Sequence, residues 1–266
     1  MSFYGSSFSF DGRSCEEFGL MLYDFNTTEQ GSSSYASGMD IVEDRVVGRY
    51  RSILYNTRYK DPLEFKLVFG ANDIAARNGQ DIDRQEMELI GSWLTGHSTY
   101  KWLAIDQPDL ENIRYRCILT DLEMLEYAGN KWAFQCDVHC DSPYAYRTPE
   151  AYSFTVDGSQ DIIIRSRSSM NELYYPKVEI SLKNCKEIEI ANVDTGDTFS
   201  MADLPSASLT VKLDGENGII ESNNGENLYP YCNFHWPSLK RGINHITLTG
   251  KGDFTFTCEF PVNVGG

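Results

Sequence analysis

The segment Asn130-Lys-Trp-Ala-Phe-Gln-Cys-Asp-Val-His-Cys140 alternates apolar and polar residues with a period of two. A strand places successive side chains on opposite faces of a sheet, so this alternation predicts a strand with one buried face. The same period recurs in Asp61-Pro-Leu-Glu-Phe-Lys-Leu-Val-Phe-Gly70 and over residues 254–260. Shorter strands are predicted at Lys177–Leu182, Glu187–Val193, Ser208–Leu213 and Asn244–Thr249. The sequence therefore predicts a mainly β protein.

One helix is predicted to begin after Asp83. The Asp83 side chain can cap the first turn, and Glu86 stands three residues later, as in a capping box. Gly96 stands where the end of a helix favours a residue that tolerates positive φ. An apolar stripe that can pack on a sheet is formed by Met87, Ile90, Trp93 and Leu94.

A domain boundary is predicted between about residues 143 and 150, where Pro143 and Pro149 follow the strand that ends near Cys140. Proline lacks the N–H that a ladder needs, so the sheet is expected to stop there. The predicted domains are residues 1–147, a β domain with one helix, and residues 148–266. The second domain contains short strands separated by turn signals, a pattern typical of a β-sandwich.

Composition and charge limit the function. The 266 residues carry a net charge of −16, which argues against binding that neutralises the phosphates of nucleic acid. A hydrophobic content of 41% is sufficient for folded cores. The N-terminal residues show no secretion signal, and the longest apolar stretch, about Phe18 to Tyr23, is too short to insert into a membrane. The seven irregularly spaced cysteines indicate reduced thiols, as in a cytosol.

No catalytic, cofactor or metal site is predicted. The sequence has no phosphate-binding loop, no zinc-protease helix and no nucleophile elbow. Cys136 and Cys140 are four residues apart, so on a strand they are separated by about 13 Å. Two thiolates on one zinc ion must lie within about 4 Å of each other, and His139 faces the other side of the strand. Buried thiols therefore explain the two cysteines better than a metal does.

A cluster of basic residues interrupts the general acidity. The segment from residue 45 to residue 60 contains no acid, several interleaved apolar residues, and the basic residues Arg45, Arg49, Arg51, Arg58 and Lys60. One interpretation is a strand with a solvated basic face. A second is a contact surface for an acidic neighbour, including another copy of this chain. Nucleic-acid binding is a third interpretation, which the overall negative charge opposes.

An ordered series of short motifs resembles the distal tail proteins of long-tailed, non-contractile bacteriophages. The motifs extend over nearly the whole chain, and their order and spacing make the match specific. They are Phe8-Ser-Phe-Asp-Gly, Glu17-Phe-Gly-Leu-Met-Leu, Trp93-Leu-Thr-Gly, Leu103-Ala-Ile-Asp-Gln-Pro-Asp109, Cys140-Asp-Ser-Pro-Tyr-Ala-Tyr146, Leu209-Thr-Val-Lys-Leu-Asp, Trp236-Pro-Ser-Leu-Lys-Arg-Gly-Ile-Asn244 and Phe254-Thr-Phe-Thr-Cys-Glu-Phe.

The resemblance implies a structural protein of the virion, made in the cytoplasm of the host bacterium and located at the tail tip. It implies a homo-hexameric ring between the tail tube protein and the tail-associated fibre or lysin protein, with a receptor-binding protein as a further partner. DNA would pass through the ring without specific binding. The implied fold is a tail-tube-like β-sandwich or split barrel with one α-helix, followed by a galectin-like β-sandwich. The family carries no catalytic residues.

Two other functions compete with the structural one. Lectin-like sandwiches share the β pattern, so the second domain is alternatively a carbohydrate-binding module that contacts host cell-wall sugars, with Trp236 as a stacking residue. Acidic pairs such as Asp81 and Asp83 could serve a glycoside hydrolase, although such pairs arise by chance in a chain with 39 acidic residues.

Overall fold

The structure is a computed structural model that describes residues 7–23, 39–59, 61–73, 80–127 and 129–264. The chain divides into two compact units. The first runs to Tyr146 and takes in the residues from Asn263 onward, and the second is Arg147–Val262. The polypeptide thus leaves the second unit again at its C-terminal end.

The described residues form eighteen strands, one α-helix and three short 3-10 helices. The α-helix, α1, is Arg84–Leu94, and the 3-10 helices are Cys15–Phe18, Pro108–Leu110 and Tyr229–Tyr231. The strands are β1 Ser7–Phe10, β2 Arg13–Ser14, β3 Leu20–Leu22, β4 Met39–Asp44, β5 Ile53–Tyr59, β6 Glu64–Ala71, β7 Lys101–Asp106, β8 Ile113–Tyr127, β9 Asn130–Cys140, β10 Ala145–Arg147, β11 Glu150–Ser166, β12 Lys177–Leu182, β13 Ile188–Asn192, β14 Asp197–Met201, β15 Thr210–Asp214, β16 Ile219–Ser222, β17 Gly242–Cys258 and β18 Pro261–Val262.

The first unit is built on an antiparallel sheet in the order β2-β1-β7-β8-β9-β6-β3. Strands β6 and β9 are the two alternating segments of the sequence, and their register places Phe69 opposite Phe134 and Leu67 opposite Cys136. All four side chains are buried, so the period of two in the sequence does define the core face of this sheet. The sequence predicted that the sheet stops near Pro143 and Pro149. This is wrong, because the chain forms the short strand β10 between these two prolines.

The predicted helix is confirmed. The Asp83 carboxylate accepts hydrogen bonds from the backbone N–H groups of Gln85 and Glu86 at 2.8 Å each. The Glu86 carboxylate in turn accepts from the Asp83 N–H at 2.9 Å, which completes the capping box. At the other end, buried Trp93 stacks on Phe18 with ring centroids 4.3 Å apart. The helix is thereby capped by its own sequence, and it is fixed to the core by Trp93 together with the buried Ile90 and Leu94.

The second unit is organised around the 17-residue strand β17. One edge of β17 pairs with β11 along its whole length. Its other edge pairs with β13 near the beginning of the strand and with β12 near the end, and the full order is β14-β13-β17-β12-β15-β16. Strand β13 pairs with β14, and β12 pairs with β15 and through it with β16. The long pair β17 and β11 is therefore shared by two groups of strands.

Glycines allow β17 to remain one strand. The sequence predicted a short strand at Asn244–Thr249, but the strand continues through Gly250 and Gly252 to Cys258. Gly250 has a φ of +138° and stands opposite Gly158, whose φ is +100°. A Cβ on Gly252 would lie 2.3 Å from the Ser181 carbonyl oxygen, so the strands approach too closely there for any other residue.

The predicted fold class is confirmed. The described residues are mainly β, with one α-helix in the first unit and a sandwich in the second.

Candidate interaction surface on a two-stranded arm

Strands β4 and β5 form a separate antiparallel arm in the first unit. Their register runs from Met39 opposite Tyr59 to Asp44 opposite Ile53, with an irregularity after Val42. Within the described residues these two strands pair only with each other. We call residues 39–59 the arm and residues 45–52, which connect its strands, the arm tip.

The tip and the base of the arm are held differently. At the tip, the Arg49 N–H donates to the Val46 carbonyl at 3.0 Å, and Gly48 supplies a φ of +88°. At the base, the Tyr59 ring meets Tyr144 edge-on with centroids 5.2 Å apart, and the Asn263 amide donates to the Tyr59 hydroxyl at 3.1 Å. The base is therefore joined to the body of the first unit, whereas the tip is ordered by its own turn.

The arm exposes an unusual amount of apolar surface. Seven of the fifteen large exposed apolar side chains in the described chain belong to it, namely Ile41, Val42, Val46, Val47, Tyr50, Leu54 and Tyr55. Val47 is 99% exposed and Tyr50 is 82% exposed. An isolated pair of strands is marginally stable in water, and clustered exposed apolar residues mark interaction sites. The arm thus has the composition of a surface that another molecule covers.

The arm tip is also basic. Arg45, Arg49 and Arg51 are all exposed, and the Arg51 guanidinium lies 5.1 Å from the centre of the Tyr50 ring. Arg58 lies on β5 opposite Asp40, near the base. Lys60 lies outside the described residues. The structure therefore brings three of the five predicted basic residues together, on a chain whose net charge is −16.

The sequence identified the charges of this surface but not the exposure of its apolar residues. In the sequence, Val46, Val47 and Tyr50 could equally be the buried face of a strand within a sheet. Exposure is decided by the absence of a covering layer, which is a tertiary property. The signal available in the sequence was the combination of apolar and basic residues with no acid in the run.

The histidines and acidic residues that the structure describes outside the arm make local polar contacts. Three histidine rings bond to oxygen acceptors: His97 to the Trp93 carbonyl at 2.8 Å, His139 to Glu64 at 2.7 Å and His245 to Asp194 at 2.8 Å. Within the described residues, no group of three His, Cys, Asp or Glu side chains could hold a metal ion. No helix in that part of the chain has the length and hydropathy needed to span a membrane.

The cysteines that suggested a metal are core residues. Cys136 and Cys140 are fully buried on the same face of β9, and burial raises the pKa of each thiol to about 12. A thiol with such a pKa is protonated at neutral pH, and it is the thiolate that binds metals and attacks electrophiles. Their role is packing.

Trp236, the residue considered for sugar stacking, lies half-buried against the core of the second unit. Its ring stacks on Phe199 with centroids 6.4 Å apart. The more accessible ring of this segment is Phe234, which is 61% exposed and has a φ of +60°. Sugar binding by the second unit stays a prediction.

Comparison with known proteins agrees with the whole-chain fold. No curated protein matches the chain. The crystal structure of the Dit protein of phage SPP1, described as a hub adsorption apparatus of phages that infect Gram-positive bacteria, has a TM-score of 0.66 at 12% identity. The alignment covers 96% of this chain and 98% of that chain. A chain of the phage P2 baseplate, in its activated conformation with calcium, has a TM-score of 0.51 at 10% identity, with 94% and 97% covered.

Family models cover both units. Residues 3–142 match the phage tail protein N-terminal domain, and residues 144–258 match the phage tail C-terminal domain. The similarity to the SPP1 protein confirms the resemblance to distal tail proteins at the level of fold. The chain therefore belongs to the phage tail protein family, with the two-unit fold of a distal tail protein.

Proposed function

We propose that this phage tail protein is a non-catalytic adaptor that closes a homo-hexameric ring at the tail tip. In this role the ring joins the tail tube protein to the tail-associated fibre or lysin protein and offers an attachment point for a receptor-binding protein. Support comes from the likeness to a hub protein over nearly the full length of both chains. The observation that carries the proposal is the arm, with its exposed apolar residues and its basic tip.

The arm gives a physical reason for copies to associate. The three tip arginines would meet an acidic surface of a neighbouring copy, which suits a chain whose 39 acidic residues outnumber its 23 basic ones. Charge complementarity fixes the orientation of the contact, and burial of the apolar residues between the arginines supplies its free energy. A contact between a basic tip and a different, acidic patch is heterologous, and such a contact forms a ring when the rotation from copy to copy closes on itself.

The same acidity suits a channel for DNA. A ring whose lumen carries part of the −16 charge of each copy repels the phosphate backbone, so the nucleic acid passes without being bound. The proposal therefore includes a lumen of negative potential. A microscopy map of the ring with a neutral or basic channel would contradict this part.

The test is a reversal of charge at the arm tip. The full chain carrying Arg49→Glu and Arg51→Glu is compared with the wild type by light scattering on a size-exclusion column and by negative-stain imaging. We expect six-fold rings for the wild type, alone or with the tail tube protein, with a particle mass that is a multiple of about six times 30.2 kDa, and smaller particles without six-fold symmetry for the variant.

A matched control separates the site from the net charge. Lys177 and Lys186 are exposed in the second unit, and changing both to Glu lowers the net charge by the same four units. This control is expected to form rings. Rings from the arm variant as abundant as those of the wild type would refute the role of the arm tip.

A further inference from the structure

The second unit presents a long open sheet edge. Strand β11 pairs with β17 from Glu150 opposite Cys258 to Ser166 opposite Gly242, and within the described residues it has no strand on its other side. An open edge offers a row of backbone donors and acceptors to another chain. Over 17 residues, this edge is much longer than the short edges with which proteins usually avoid such pairing.

The C-terminal part of this edge is apolar on both faces. Ile162 and Ile164 are buried, whereas Ile163 points outward and is 62% exposed. On the same outward face Ile243 is 52% exposed, and Val193, next to His245, is 72% exposed. Exposed apolar residues thus also lie on this face of the neighbouring strands, with His245 between Ile163 and Val193.

Two complementary charges flank Ile163 on the outward face. Asp161 and Arg165 are both exposed, and within the described part of the chain neither forms an ion pair. The Thr247 hydroxyl donates to the Asp161 carboxylate at 2.7 Å, which holds that carboxylate on the outward face. The segment therefore ends in an acid on one side of Ile163 and a base on the other.

We propose that strand β11 of one copy pairs antiparallel with strand β11 of a second copy, in a register centred on Ile163. The sequence Asp161-Ile-Ile-Ile-Arg165 is complementary to itself when it is reversed. This register pairs residues 160–166, the last seven of β11, and it sets Ile163 opposite its own counterpart, Asp161 opposite Arg165 and Ile162 opposite Ile164. Opposite charges and apolar residues that face each other across strands are the pairs that stabilise a sheet.

Other registers lose these pairs. A shift by one residue moves the isoleucines of one strand to the wrong face of the other. A shift by two residues in one direction sets Ile163 opposite Arg165, and in the other direction it sets Ile163 opposite Asp161. The central register alone satisfies both charges and all three isoleucines, and it has the two-fold symmetry of an isologous contact.

The contact is independent of the proposed ring, because it uses the second unit and a different symmetry. Its test therefore begins from the full chain carrying Arg49→Glu and Arg51→Glu, in which the arm tip is altered. Sedimentation velocity over the accessible concentration range is expected to show a particle of twice 30.2 kDa. A monomer at every concentration would overturn the proposal.

Charge swaps then test the register. Asp161→Arg places two arginines opposite each other, and Arg165→Asp does the same with two aspartates, so each single change is expected to weaken association at least about tenfold. The double variant Asp161→Arg/Arg165→Asp restores both pairs with reversed polarity and is expected to dimerise as the parent does. Failure of the double variant to recover, or no effect of the single ones, would refute this register.

Cross-linking supplies a second readout. With Ile163→Cys the two new thiols face each other across the proposed contact, so oxidised glutathione should convert the protein into a disulfide-linked dimer. Val193→Cys is the matched control, since that residue is more exposed but lies away from the edge. Equal cross-linking of both variants would contradict the pairing.

The two proposals can fail separately. If the changes at Arg49 and Arg51 leave rings intact, the proposed role of the arm tip is wrong. The single charge reversals at Asp161 or Arg165 should then still halve the particle mass if β11 pairs as proposed.

Discussion

Replacement of Val47 and Tyr50 by serine should abolish ring assembly without affecting the fold. These side chains are 99% and 82% exposed, so nearly all of their surface is available for burial by a neighbour. Complete burial of one such side chain contributes about 1.5–3 kcal/mol, so the two contribute about 3–6 kcal/mol to each contact. Since about 1.4 kcal/mol corresponds to a factor of ten, the contact should weaken about 100- to 10,000-fold.

The free energy of unfolding of the single chain should change little. Surface substitutions away from special features usually remain within about 0.5 kcal/mol. The contact of Arg51 with the Tyr50 ring adds about 0.5–1 kcal/mol at an exposed site, which sets the upper limit of the expected loss. Sedimentation velocity measures assembly, and urea unfolding followed by circular dichroism measures stability.

Two outcomes would refute this reasoning. Unaltered rings would show that the arm tip is not in the contact, and a strongly destabilised monomer would show that the tip packs on its own chain. Ile219→Ser is the control, because Ile219 is 42% exposed at the start of β16 and lies outside the arm.

Two further predictions concern the interior. Gly252→Ala should lower the free energy of unfolding in urea by about 1–3 kcal/mol more than Gly158→Ala does. Both glycines have positive φ, but only a Cβ at Gly252 meets a backbone oxygen, at 2.3 Å. Equal losses of stability would show that β12 moves away from the new Cβ without an energetic cost. In the native protein at pH 8, a thiol reagent should quickly label only the half-buried Cys185 and Cys232, because burial raises the pKa of the core thiols. After unfolding, the reagent should label all seven cysteines. Rapid labelling of Cys136 or Cys140 in the native protein would contradict their placement in the core.

The sequence predicted the elements whose signals are local. Helix α1 was recognisable because Asp83 and Glu86 are three residues apart and cap it directly. Strand β9 was recognisable because buried residues alternate with more exposed ones from Phe134 to Cys140. In both cases the determining interactions lie within a few residues, so no knowledge of the tertiary structure was required.

Elements that depend on distant residues were not recovered in the same way. Strand β11 was not predicted, and its partner β17 was predicted in part, because Glu150 pairs with Cys258 more than a hundred residues later. Glycine usually interrupts a strand, but Gly250 and Gly158 face each other, so the chain bends there and the pairing continues. The open edge of β11 follows from this long-range pairing and has no local signal.

The two proposed contacts have different symmetry, and this decides what each can build. The proposed heterologous contact through the arm tip would repeat by rotation and form a ring where that rotation closes, whereas an isologous contact through β11 would join two copies and then stop. Together they would join two rings through their second units.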